Sequence, residues 1–173
     1  MSIKLSKLYQ LDSRGYKYFE KVSEDLILFN LEIKGDSLHF DSRPVHWRCD
    51  FGDFPPMDIS LDSATGLLKE ITVFIKKSDI KKQDREIHLD ILASKGYPTF
   101  STDIWKKHEY YYDESVGVNI FILELNLCVC LAKSKIQNKL KVNDVLDVLL
   151  DEQDFLSGFI INNLSVDELK YMI

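Results

Sequence analysis

The feature that most constrains the fold is residues 55–77, where two alternating segments surround a short turn. Apolar residues occupy every second position in both segments, which is typical of strands with one buried face. Asp62 can accept backbone N–H bonds within the turn, and Gly66 can adopt the positive φ that a four- or five-residue hairpin loop needs. The stretch therefore predicts an antiparallel β-hairpin. Its alternating apolar residues are Met57, Ile59, Leu61, Ile71, Val73 and Ile75.

Other segments along the chain also show strand patterns bounded by turn-forming residues. These segments are residues 3–11, 16–22, 25–34, 37–40, 45–52, 87–93, 108–113, 116–132, 145–150 and 155–161. Short turns predict three further hairpins, which pair 25–34 with 37–40, 108–113 with 116–132, and 145–150 with 155–161. Residues 78–86 are polar and charged throughout, and they predict a solvated loop or one helical turn.

The C-terminal ten residues carry the pattern of a short helix. Ser165 and Glu168 have the spacing of a capping box, and an apolar face follows at Val166, Leu169, Met172 and Ile173. We therefore predict an α+β fold, made mainly of antiparallel β-sheet built from successive hairpins with a short C-terminal helix. The length of 173 residues and the scarcity of Gly and Pro predict a single domain over residues 1–173.

Composition narrows the class of partner and the compartment. The chain has 22 basic and 28 acidic residues, a net charge of −6, which argues against general binding to nucleic acid or to anionic membranes. Three cysteines are an odd number, which fits a reducing cytoplasm. Residues 1–10 lack the apolar core of a signal peptide, and polar residues interrupt the apolar run at 116–132. We expect a cytoplasmic protein without a membrane span.

A possible catalytic group lies at His46, Cys49 and Asp50, with Asp53 close behind. Cysteine catalysis requires a thiolate beside a histidine. Strand alternation, however, sends His46 and Cys49 to opposite faces unless a bulge intervenes. The pattern favours a structural strand with Trp47 and Cys49 inside, and a small enzyme with a pocket at this place remains the alternative.

A metal site at Cys128 and Cys130, completed by His88 or His108, is the second chemical candidate. A lone C-x-C without a second pair is a weak zinc signature, because a structural site needs four ligands. Free cysteines in a buried strand are common small apolar residues. We predict no metal and no cofactor, and no motif of a hydrolase, metalloprotease or nucleotide-binding loop is present in the sequence.

Two segments have the composition of a protein-binding surface. Residues 144–168 contain seven acidic residues and no Lys or Arg, a pattern that can steer a basic partner. Residues 97–112 are rich in Tyr and Trp, which dominate interface hot spots. The alternatives are a solvated hairpin tip with a helix N-terminus, and core packing of about half of the aromatic residues. The predicted partner-binding residues are Asp144, Asp147, Asp151, Glu152, Asp154, Trp105, Tyr110 and Tyr112.

Three stretches resemble small bacterial immunity proteins. They are the hairpin turn at residues 62–66, the strand at residues 155–161, and the helix start Leu164-Ser165 with Glu168. The resemblance implies a short α+β domain that binds and blocks a cognate polymorphic or contact-dependent toxin. The expected function is thus non-enzymatic binding of a protein, such as a basic toxin domain. A structural subunit that pairs through an exposed edge strand is a further alternative, and the oligomeric state is left open.

Overall fold

The computed structural model describes residues 3–40, 42–50, 55–81, 91, 93–132 and 134–173. Within this part of the chain, strands predominate and one α-helix closes the C-terminus. The strands are β1 (Leu5–Tyr9), β2 (Arg14–Lys21), β3 (Leu26–Lys34), β4 (Pro44–Asp50), β5 (Met57–Asp62), β6 (Leu68–Lys76), β7 (Ile80–Lys81), β8 (Ala93–Lys95), β9 (Tyr97–Phe100), β10 (Tyr111–Ser115), β11 (Val118–Leu123), β12 (Asn126–Leu131), β13 (Asn138–Lys141), β14 (Leu146–Leu150) and β15 (Leu156–Ile161). The helix α1 spans Val166–Met172, and a 3₁₀ turn at Lys77–Asp79 precedes β7.

The strands form two large sheets and one short ladder. The six-stranded sheet has the order β10-β4-β5-β6-β3-β2, and the seven-stranded sheet has the order β7-β11-β12-β15-β14-β13-β8. Their neighbouring strands are antiparallel except for β10–β4, β11–β7 and β13–β8, which are parallel. The third unit is an antiparallel ladder of β1 with β9. The predicted fold class, α+β with mainly antiparallel sheet and a short C-terminal helix, is confirmed.

The hairpin at residues 55–77 forms as predicted, from β5 and β6. Oδ1 of Asp62 accepts backbone N–H bonds from Ala64 (3.1 Å) and Thr65 (2.8 Å). Gly66 has φ +73°, and a Cβ at this position would lie 2.0 Å from the carbonyl oxygen of Phe100. Glycine is therefore required here both by the turn and by the approach of the next segment.

Two of the predicted hairpins are wrong. Residues 37–40 form no strand, and β3 instead lies between β2 and β6. Residues 116–132 are two strands rather than one, since β11 and β12 pair across a turn in which Glu124 has φ +52°. β10 therefore pairs with β4 rather than with β11. The predictions for residues 82–90 lie outside the described residues.

The last hairpin and the capping box form as predicted. β14 and β15 pair in antiparallel fashion on either side of residues 151–154. Oγ of Ser165 accepts the N–H of Glu168 (3.1 Å), and the N–H of Ser165 bonds Oε2 of Glu168 (2.6 Å). Glu168 also pairs with Lys17 of β2 at 3.1 Å, and Met172 is buried, so α1 docks beside β2. Among the described residues, no helix has the length and apolar content needed to cross a membrane.

The main core lies between the two large sheets. One apolar cluster contains buried side chains from both sheets and from β9. A small internal gap between them is lined by Ile59, Leu68, Ile71, Phe100, Val148, Leu156 and Phe159. On β4, Val45, Trp47 and Cys49 point into this core, whereas the intervening residues are only half-buried. The opposite face of the six-stranded sheet is therefore turned outward.

Candidate functional site: the outer face of the six-stranded sheet

The arrangement of His46 and Cys49 does not form a catalytic pair. Cys49 is fully buried in the core, and its thiol donates to the carbonyl of Val116 at 3.1 Å. Burial raises the pKa of this thiol to about 11, so it is protonated at neutral pH. His46 lies on the outer face, while Asp50 is exposed at the end of β4 and Asp53 lies outside the described residues. A thiolate activated by histidine is thus not available here.

Cys128 and Cys130 are part of a second apolar cluster. This cluster lies on the face of the seven-stranded sheet that points away from the main core, and its buried members are Phe121, Cys128, Cys130, Leu149 and Ile160. Burial raises the pKa of Cys128 to about 12 and that of Cys130 to about 11, which disfavours the thiolate that a metal needs. His88 lies outside the described residues. In the described ranges, no three His, Cys, Asp or Glu side chains are grouped to hold a metal ion.

The acidic residues of segment 144–168 are divided between two ends of a sheet. Asp144 precedes β14 and residues 151–154 follow it, so strand rise separates them by about 20 Å. The helix start lies at the Asp144 end, because Nδ2 of Asn163 bonds the carbonyl of Asp144 at 2.8 Å. At this end Lys141 lies 3.4 Å from Asp144, and Lys170 lies 2.8 Å from Asp167. The acidic residues of segment 144–168 therefore do not form a single surface patch.

Asp147 differs from its acidic neighbours because it is only 9% exposed. It lies in register with Ile160, whose other neighbour is Cys128, on the outward side of the seven-stranded sheet. Among the described residues, its Oδ1 has no hydrogen-bond partner. Desolvation raises the pKa of this carboxyl, although a bond from Asn162 and two nearby lysines act in the opposite direction. Asp147 is thus poorly placed to touch a partner.

The loop at residues 151–154 carries three acidic residues of segment 144–168 at one end of the sheet. Oδ1 of Asp151 accepts the N–H groups of Gln153 and Phe155, both at 2.9 Å, and so shapes the turn. Asp154 has φ +65°. Glu152 and Asp154 are exposed at the tip. We call residues 151–154 the acidic loop.

The predicted aromatic residues Trp105, Tyr110 and Tyr112 are buried or half-buried rather than exposed on the surface. Trp105 is 9% exposed, and its Nε1 donates to the carbonyl of His46 at 3.2 Å. Tyr112 meets Trp105 edge-on at a centroid distance of 6.4 Å. Tyr110 lies under the guanidinium of Arg43 at 3.7 Å. The exposed aromatic residue of this segment is Tyr111, at 54%, which the sequence had not distinguished from its neighbours.

Tyr111 belongs to an ordered group that we call the His46 cluster: His46, Arg48, Asp58, Tyr111 and Asp113. The parallel pairing of β10 with β4 places Tyr111 beside His46 and Asp113 beside Arg48. The Arg48 guanidinium forms two bonds to the Asp113 carboxylate, of 2.6 and 2.8 Å, and lies 4.5 Å from the Tyr111 ring centre. The imidazole of His46 stacks on Tyr111 at 5.1 Å and bonds Asp58 at 2.9 Å. Each side chain is thus held in place by at least one other.

The His46 cluster belongs to two rows of outward-facing residues that cross all six strands of this sheet. In β-sheets, residues in register share a face, so the rows can be read from the pairing. The first row is Tyr16, Glu32, Glu70, Ser60, His46 and Tyr111. The second row is Tyr18, Asn30, Thr72, Asp58, Arg48 and Asp113. We call the surface formed by these two rows the outer face.

No protein-family model and no curated protein matches this sequence. The candidate site therefore depends on geometry alone. Period-two alternation places His46 and Arg48 on one side of a strand, and the same pattern at residues 111–115 places Tyr111 and Asp113 on one side of another. The missing information was that these two strands are neighbours.

Proposed function

We propose that this chain is a non-enzymatic protein-binding protein, and that it serves as an immunity protein that neutralises a cognate bacterial toxin by occluding it. The observation that carries the proposal is the His46 cluster, in which the exposed Tyr111 and the half-buried His46 and Arg48 are held by mutual contacts. Tyr and Arg are enriched in interface hot spots. Because Arg48 and Tyr111 are already ordered by their neighbours, binding costs little side-chain entropy.

The chemistry of the remaining candidate groups supports binding over catalysis. Cys49 is buried away from His46, and the raised pKa of Cys49, Cys128 and Cys130 disfavours thiolate chemistry at each. The three cysteines are free thiols, which agrees with a protein working in a reducing cytoplasm. A partner with a basic surface suits the net charge of −6.

Co-expression tests this proposal directly. The chain is co-expressed in a bacterial host with each toxin domain encoded beside it in its source genome. Growth rescue and a complex that survives size-exclusion chromatography are the expected results. A double variant, Arg48→Ala with Tyr111→Ala, is expected to weaken the complex by at least about tenfold. A Lys106→Ala variant on the neighbouring exposed loop serves as the control, with rescue unchanged.

The proposal fails if no neighbouring gene product is neutralised or bound. A metabolic conversion catalysed by the purified chain, abolished by replacing His46, would instead favour the enzyme alternative.

A further inference from the structure

The outer face has the dimensions of a docking surface. Six strands at a spacing of about 4.8 Å span about 24 Å, and at least two residues of each strand point outward. Exposed tyrosines lie at both edges, with Tyr16 and Tyr18 on β2 exposed by 49% and 54%, and Tyr111 on β10 by 54%. Amphipathic aromatic rings at the rim of a polar sheet face are suited to contact with another protein.

The centre of this face contains two carboxylates that lie directly opposite each other. Glu32 of β3 and Glu70 of β6 are in register across the sheet. Like charges at such positions destabilise a pair of strands. Lys34 lies 3.0 Å from Glu32, but among the described residues Glu70 bonds the amide of Asn30, at 2.5 Å, rather than a cation.

Glu70 is half-buried in the first row, beside further polar groups. Ser60, the next residue in the row, is small and only 2% exposed, so the larger side chains around it, Glu70 and His46 among them, cover it. Asp58 adds a third carboxylate on the adjacent row. Lysine and arginine bury their aliphatic stems while their charged groups reach a carboxylate, and arginine binds it with two parallel bonds.

We infer that the outer face docks a basic segment of a protein partner, with a Lys or Arg side chain bound at the half-buried carboxylate of Glu70, beside Asn30. This inference rests on the proposed function and names the chemistry of its partner. The occupant follows from charge complementarity: the central carboxylates repel nucleic acid, and they also repel a second copy of this chain, whose net charge is −6. Tyr16 and Tyr111 close the two ends of the row that contains Glu70.

Peptide selection provides a test that needs no knowledge of the natural partner. A phage-displayed library of linear 12-residue peptides is selected on the immobilised full chain, and the enriched peptides are synthesised and titrated. The expected peptides carry Lys or Arg, and their affinity falls with rising salt. Glu70→Lys is expected to weaken them by at least about tenfold, because it places like charges together. Tyr16→Ser is expected to weaken them by about threefold.

Two matched variants keep this test specific. Glu124→Lys makes the same charge change on the exposed turn between β11 and β12 of the other sheet, and it is expected to leave peptide affinity within about twofold. Glu70→Gln removes the charge but keeps an oxygen that can accept the Asn30 amide. It is expected to weaken binding while the thermal midpoint does not fall, which separates loss of the site from loss of the fold.

Several results would overturn the inference. They are enrichment of no peptide or only of acidic or apolar peptides, loss of binding in Glu124→Lys but not in Glu70→Lys, and a dimer in solution that Glu70→Lys disrupts. Growth rescue by the Glu70→Lys variant would remove the docking site but leave the proposed function intact. Peptide binding at Glu70 without neutralisation of any toxin would support the docking site but contradict the proposed function.

Discussion

The two large sheets bury their outward-facing residues to very different extents. On the six-stranded sheet, β3, β4 and β6 alternate between buried and half-exposed residues. On the seven-stranded sheet, every residue of β14 and β15 is buried. The outward residues of the first sheet are mainly charged or aromatic, whereas those of the second include Leu149 and Ile160.

Because of this difference, the two sheets contribute differently to the packing of the protein. A strand buried on both faces has a nearly continuous apolar sequence, and a strand with one solvated face alternates. The seven-stranded sheet therefore contributes apolar packing on both of its sides. The six-stranded sheet contributes packing on one side only, which leaves the residues of its outer face half-exposed.

The tightest contact inside the seven-stranded sheet should give the largest effect. Gly158 has φ +149°, and a Cβ there would lie 2.2 Å from the carbonyl oxygen of Val129 on the neighbouring strand. We expect Gly158→Ala to lower the free energy of unfolding by at least about 3 kcal/mol, through strain and displacement of β12. Urea unfolding measures this change.

Gly117→Ala is the control, because its Cβ would meet only the Ala132 Cβ, at 3.0 Å, on an exposed turn. A loss in Gly158→Ala no larger than in Gly117→Ala would show that the β12–β15 contact relaxes easily.

Replacing one outward-facing leucine in each sheet tests whether the outward sides of the two sheets are packed to different extents. Leu149 is fully buried in the second cluster, whereas Leu28 of β3 is half-buried on the outward side of the six-stranded sheet. We expect Leu149→Ala to cost about 3 kcal/mol, since it removes buried apolar atoms and leaves a cavity. Leu28→Ala should cost about 1 kcal/mol, in proportion to the smaller area removed from water. Equal losses in urea unfolding would mean that both outward sides pack alike.

Two carboxylates that are hardly exposed should respond to pH in opposite ways. Burial alone would raise the pKa of Asp62, but hydrogen bonds from Ser42 and Thr65 outweigh it and lower the pKa below its ordinary value of 3.8. Asp147 has a raised pKa because desolvation dominates. Asp62→Asn should therefore cost about 2 kcal/mol at pH 7, whereas Asp147→Asn should increase stability.

The pH dependence of both variants follows from these directions. The stability that Asp62 provides is present above pH 3.8 and is lost as the pH falls through its lower folded-state pKa. The penalty at Asp147 is present above its raised folded-state pKa and disappears as the pH falls to 3.8. Thermal unfolding of each variant beside the natural sequence, from pH 3 to pH 8, measures both differences. A destabilised Asp147→Asn at pH 7 would mean that the ionised carboxylate is needed.

The carboxylates at the centre of the outer face should give the smallest change. Glu70→Gln relieves the repulsion from Glu32 and can keep the bond from Asn30, so we expect a gain of about 0.5 kcal/mol at low salt. The gain should shrink in high salt because the charges are screened. Thermal unfolding at two salt concentrations measures it. A loss of stability would indicate that the Glu70 charge supports the sheet.

Local features were the ones that the sequence predicted correctly. The β5–β6 turn, the turn at residues 151–154 and the capping box at Ser165 each depend on residues within a few positions of one another. The buried positions of β4 followed from its alternation. The turn at Glu124 was missed because neither Glu124 nor Leu125 is a typical turn residue, and the apolar pattern continues through it.

The candidate site depended on long-range pairing that no local pattern specifies. Arg48 and Asp113 are 65 positions apart, and only the parallel β10–β4 ladder brings them together. The same limitation made the acidic segment at residues 144–168 look like a single surface, although β14 separates its two ends. Tyr111 could not be singled out among its aromatic neighbours until its side of the sheet was known.

The sequence by itself determined the strand periods, the turns that need Gly66 and Asp62, and the cap at the start of α1, because these are set by backbone conformation and neighbouring side chains. The tertiary structure alone decided which strands are neighbours and which faces are buried. Those choices depend on the packing of the whole chain, and they turn scattered outward residues into the outer face. They also bury Asp147, whereas the other acidic residues of segment 144–168 stay exposed or half-buried.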